Sequence, residues 1–200
     1  MAICDPQSVG TGATIPFPLL PNLTIMDIKN TYIAFDASGM INHEFSNLHT
    51  FLQFDRYQAT YPNRFNFINM DEIKFASEHD GQITASLEQR FFKRMAEADN
   101  VLVVASPLIN VESDILNWQI RTAVYRYRLP LIIAYAHHDH FSEEEIQTHY
   151  VWLPHAVREM VEGDHAYVAH IPLTIDKLER ALRSFSVRDH TYPWTSTTVF

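Results

Sequence analysis

Apolar residues fall along this chain in two patterns that take turns. Short, nearly unbroken apolar runs occur at Thr31–Phe35, Phe65–Ile68, Val101–Ala105, Leu131–Tyr135 and Ala166–Ile171. Such runs, bounded by polar and turn-forming residues, predict strands covered on both faces. Between them, apolar residues recur every three or four positions, which predicts amphipathic helices. The clearest helix carries Ile83, Leu87, Phe91 and Met95, with Phe92 and Ala98 nearby, and stops at Asp99-Asn100. Phe45, Leu48 and Leu52 predict a helix after the first strand, whereas Asp71 to Gly81 reads as a polar connection. A helix opening after Ser113 must end near Pro130, whose ring cannot continue it. Ser142-Glu143-Glu144-Glu145 has the form of a capping box and predicts another helix start. Ile175, Leu178 and Leu182 put one apolar stripe on a closing helix capped by Thr174.

Strands alternating with helices predict an α/β fold, a three-layer sandwich around a mainly parallel central sheet of about five strands. Residues 1–30 read as an irregular arm, rich in Gly and Pro at its start. Residues 31–184 form the domain and 185–200 a polar and aromatic tail. In open parallel sheets ligands bind beyond the carboxyl ends of the strands, at the point where strand order reverses. The positions to watch are therefore Asp36, Ala37 and Ser38 after the first strand, Asp71 at the end of the second, Ser106 after the third, and the loop from His137.

Composition narrows the chemistry. A formal net charge of −9 argues against general nucleic-acid binding, which needs clustered cations to neutralise phosphate. Lys and Arg are scattered, apart from the run Arg90, Lys93 and Arg94. One cysteine, Cys4, excludes an internal disulfide framework and a cysteine-rich zinc site. No apolar run reaches membrane-span length and no secretory leader pattern opens the chain, so no membrane association and a cytoplasmic location are expected. There is no Gly-Lys-Ser/Thr phosphate loop, no Gly-rich dinucleotide fingerprint and no Gly-x-Ser-x-Gly elbow. His137, His138, His140 and Asp139 suit a metal by residue type, but exposed histidines serve more often as solvated or partner-facing groups; no metal is expected.

The stretch from Ser106 to Ile120 carries a resemblance. With the strand-end Phe35-Asp36, the helix leading into Asp99-Asn100-Val101-Leu102-Val103-Val104, and the run Ile115-Leu116-Asn117-Trp118-Gln119-Ile120, it resembles TIR-like domains over residues 30–183. The likeness is nearest to those of bacterial anti-phage, Thoeris-type defence. Many of them carry a Trp-x-Asn-Trp-Glu-Ile-like run whose Glu performs the chemistry. The resemblance implies a flavodoxin-like fold that cleaves NAD at the nicotinamide–ribose bond, as a glycohydrolase, an ADP-ribosyl cyclase or a transferase. NAD is then substrate and no cofactor is required. It further implies a nucleotide product acting on a downstream effector, a phage-derived trigger and a homo-oligomer.

Carried over, the catalytic position is Gln119, an amide where the family has an acid. Phe35, Asp36, Ala37, Ser38, Asp71, Ser106 and Trp118 become substrate contacts. Cleavage builds positive charge on the ribose, and removing one preorganised electrostatic partner typically costs about 10²–10³ in rate. Three readings of Gln119 stand: a Glu→Gln substitution made to trap bound substrate or product, a natural amide in a slow or binding-only domain, or a register in which Glu112 is the acid. Each site position also has a plain structural explanation: a solvated helix residue for Gln119, a core aromatic for Trp118, turns for Asp36 and Asp71, a strand end for Ser106. The expectation is a NAD-cleaving enzyme silenced at Gln119. The alternatives are a catalytically silent nucleotide- or partner-binding module and a nucleoside deoxyribosyltransferase-like enzyme.

Overall fold

A computed structural model describes residues 28–36, 48–78, 84–136, 138, 142–188 and 197–199. Six parallel strands form one sheet in the order β2-β1-β3-β4-β5-β6. They are β1 (Asn30–Ala34), β2 (Asn66–Phe67), β3 (Asn100–Ala105), β4 (Leu131–Tyr135), β5 (Val168–Pro172) and β6 (Thr197–Val199). Every residue of β3, β4 and β5 is buried, as expected of central parallel strands covered on both sides. The first five strands run 2-1-3-4-5, the flavodoxin-like order, whose reversal lies between β1 and β3. The α/β class and parallel sheet are thus as the apolar pattern predicts. The tail differs from expectation, because Thr197–Val199 pairs alongside β5 as a sixth strand.

Seven α-helices connect the strands among the described residues: α1 (Leu48–Thr60), α2 (Met70–Glu78), α3 (Ala85–Glu97), α4 (Asp114–Arg121), α5 (Glu143–Thr148), α6 (His155–Glu162) and α7 (Ile175–Ser184). A π-helical segment, Thr122–Arg126, continues α4, and a 3-10 turn, Tyr150–Trp152, precedes α6. Helix α3 buries Leu87, Phe91 and Met95, and its Thr84 accepts a cap bond from the Leu87 N–H. The Ser142–Glu145 capping box is formed at α5. Thr174 stands at the cap position of α7, but its side chain makes no cap bond.

Three element expectations are corrected. Asp71 to Gly81 does not read through as a polar connection: Met70–Glu78 is helical and buries Met70, Ile73 and Ala76. That stripe is too short to stand out among charged neighbours. Asp71 accordingly does not end β2; it sits in the first turn of α2 and is exposed. In α1 the inward face is Phe51 and Phe54, whereas Leu52 is exposed; Phe45 lies outside the described residues. An unforeseen helix, α6, packs on α4.

Contacts between helices show how the faces are built. Arg64, just beyond α1, pairs with Asp176 and Glu179 of α7. On α3, Phe91 and Phe92 meet Trp118 of α4, and Arg121 of α4 pairs with Glu159 of α6. No helix among the described residues is long and apolar enough to cross a membrane.

Candidate functional site

Helix α4 leaves β3 through a turn that the sequence closes locally. Ser106 Oγ accepts from the Leu108 N–H at 3.2 Å, and Ser113 caps α4 by accepting from the Leu116 N–H at 3.2 Å. Ser113 thus serves as a helix cap. The helix then carries Gln119 against β1, next to the strand-order reversal, while Trp118 faces α3 and Asn117 faces α6.

Gln119 has no exposed surface. Its Nε2 donates to the Phe35 carbonyl at 2.8 Å, and its Oε1 accepts from the Tyr32 hydroxyl at 2.7 Å. One amide therefore satisfies a carbonyl freed where β1 ends and a phenol buried under the helix. Burial is the main reason the Tyr32 hydroxyl titrates far above its ordinary range, with the charge of Glu72 adding to it. Tyr32 is thus a fixed neutral donor.

The other expected contacts separate. Phe35 turns its ring into the core, edge-on to Phe51 and Phe91, and offers only its carbonyl, already taken by Gln119. Asp36 is half-buried beside it, while Ala37 and Ser38 lie outside the described residues. Ser106 is buried and engaged in its turn. Trp118 is partly exposed, packs on Phe91 and Phe92, and lines a 270 Å³ hollow with Glu88, Asp114 and Ile115. The structure thus joins Phe35, Trp118 and Gln119 at one seam and sets Asp71 apart on α2. Glu112, the alternative acid, is exposed and pairs with His155 at 2.7 Å.

Several residues that shape this seam escape a reading of the sequence. Asn69 grips β1 through both amide atoms: Oδ1 accepts from the Ile33 N–H at 2.9 Å and Nδ2 donates to the Ile33 carbonyl at 2.8 Å. It extends the pairing of β2 after the strand ends. Asn117 donates to the carbonyls of Val111 and Ser113 and accepts from the Ala156 N–H. Glu72 is buried with Arg94 Nε 3.1 Å from one of its oxygens. Of these, Asn117 stands in the run already read from the sequence, whereas Asn69 and Glu72 look there like ordinary polar residues.

Among the described residues no group of three or more His, Cys, Asp or Glu side chains is placed to hold a metal. His138 packs against His149 and Trp152, and its loop neighbours His137, Asp139 and His140 lie outside the described residues. Compared with known proteins, the chain matches no family model and no curated sequence.

Proposed function

We propose that this chain is a TIR-like module of anti-phage nucleotide signalling that holds NAD, or a nucleotide derived from it, at the strand ends without cleaving it at an appreciable rate. The flavodoxin-like strand order and the placing of the Asn117-Trp118-Gln119 helix at the reversal support the first half of that reading. One observation carries the second half: both polar atoms of Gln119 are committed to Tyr32 and Phe35. A neutral amide whose oxygen already accepts a bond offers little to a developing ribose cation, where a free carboxylate offers a full charge. Self-association, a phage-derived trigger and a downstream effector belong to the same proposal.

The test pairs NAD binding by calorimetry with nicotinamide release, for the native chain and for Gln119→Glu, with and without phage lysate. The expected outcome is saturable binding and no release by the native chain, with release by the variant higher by about 10²-fold or more. Rapid release by the native chain would show that Gln119 does not limit the chemistry. Absence of binding and release in both folded proteins would remove NAD and leave a partner-recognition module. Preferential cleavage of deoxynucleosides over NAD would point to the deoxyribosyltransferase-like reading.

A further inference from the structure

Between α2 and α3 lies a 310 Å³ cleft lined by Asp71, Glu72, Arg90, Lys93 and Arg94. It gathers the one basic run of a chain whose formal net charge is −9. Arg90, Lys93 and Arg94 share one face of α3 through their three- and four-residue spacing, but they are not equivalent. Arg94 is pinned, its Nε 3.1 Å from Glu72 and its guanidinium also near Glu97 at 3.7 Å. Arg90 is instead held by the Phe75 ring, 5.5 Å from its guanidinium carbon. That contact orients the group without neutralising it. Among the described residues neither Arg90 nor Lys93 pairs with a carboxylate, although Asp71 lines the same cleft.

The second observation is Glu72 itself. It is 4% exposed, and its Oε2 is buried with no hydrogen-bond partner. A buried carboxylate oxygen without a donor is costly and marks a place where a donor is wanted. The cleft is therefore lined by two cations without a carboxylate partner and by two carboxylates, one of which has a buried oxygen short of a hydrogen. An inorganic anion would answer the cations alone. A molecule bearing both a phosphate and hydroxyl groups answers both.

We infer that this cleft is a binding site for a sugar phosphate, with the phosphate between Arg90 and Lys93 and the hydroxyls toward Glu72 and Asp71. The site does not use Gln119, so its test is independent of NAD cleavage. Ribose 5-phosphate, inorganic phosphate and ribose would each be titrated into the isotope-labelled chain while backbone amide resonances are followed. Ribose 5-phosphate is expected to shift amides of α2 and α3 saturably, with a dissociation constant at least about tenfold below that of either fragment. The double variant Arg90→Ala/Lys93→Ala changes exposed side chains only, and an unchanged spectrum elsewhere confirms its fold; it is expected to weaken ribose 5-phosphate at least about tenfold. Asp71→Asn is expected to narrow the preference over inorganic phosphate. Equal affinity for inorganic phosphate would reduce the cleft to an anion patch and overturn the inference. So would shifts that survive the double variant, or no saturable shift in α2 and α3.

Discussion

At Gln119 the surroundings ask for a donor on one side and an acceptor on the other, and an amide is the neutral group that supplies both. A carboxylate there would keep the Tyr32 bond but set its second oxygen against the Phe35 carbonyl. The Gln119→Glu variant therefore gains a charge at the expense of a buried contact, and any nicotinamide release it shows must be judged beside its stability. His170 poses the related question of a buried base. It is 1% exposed on β5, its Nδ1 lies 2.9 Å from the Tyr135 hydroxyl, and burial lowers its pKa to about 4. The unfolded chain protonates this imidazole near pH 6.5, so between those values the unfolded state holds the extra proton. Stability is then present in full above about pH 6.5 and falls as pH drops toward about 4, by roughly 3 kcal/mol from this residue. Urea unfolding at pH 7 and pH 5 should show about 2 kcal/mol of that loss in the native chain and a smaller one in His170→Phe. Equal losses in the two proteins would assign the acid limb to other groups.

Among the elements, α4 and α6 depend on one side chain. Asn117 is 5% exposed; its amide donates to the Val111 carbonyl at 2.9 Å and the Ser113 carbonyl at 2.8 Å, and its Oδ1 accepts from the Ala156 N–H at 2.7 Å. It fastens the loop before α4 to the first turn of α6, where Pro154 supplies no side-chain cap. Asn117→Leu fills similar space but leaves the buried Ala156 N–H without a partner. A loss of about 2–4 kcal/mol is expected, with hydrogen exchange at Ala156 accelerated far more than in β3. Unchanged protection at Ala156 would mean that α6 is held by its apolar face alone. The same elements show what the sequence discloses. Unbroken apolar strands and the period of α3 are legible because burial on two faces, or on one stripe, leaves a direct mark. Helix α2, with its short stripe of Met70, Ile73 and Ala76, and α6, with Ala156, Val157 and Met160 buried, are short segments amid charged residues. At the site, the Asn117-Trp118-Gln119 run is visible in sequence, yet the direction of the Gln119 amide depends on Tyr32 and Phe35, distant in the chain. Glu72 and Asn69 look like ordinary polar residues until the sheet brings β1 beside them.

On the scale of the whole molecule, the amino ends of the central strands are closed by residues beyond α7. Asp99 is 1% exposed; it accepts from the Asn30 N–H at 2.7 Å and lies 2.6 Å from Arg188 Nε. The Val187 N–H donates to the Asp99 carbonyl at 2.8 Å. Asn100 donates to the carbonyls of Leu182 and Phe185 at 3.1 and 2.8 Å, and Phe185 stacks on Tyr167 with ring centroids 4.3 Å apart. A boundary at residue 184, natural from the loss of apolar period, therefore cuts through a buried contact. Two shortened chains isolate that contact, one ending at Arg188 and one at Ser184, because both lack β6 and differ only in four residues. Removing the Phe185 ring alone is comparable to a large-to-small core change of about 3–5 kcal/mol, and Asp99 also loses its cation in a buried setting. Domains of this kind keep only about 5–15 kcal/mol in total. The chain ending at Arg188 should thus unfold cooperatively in urea, whereas the one ending at Ser184 should show a much lower midpoint or no folded baseline. Equal midpoints would place the closure of the sheet entirely within the residues before 185 and make the Asp99–Arg188 pair dispensable.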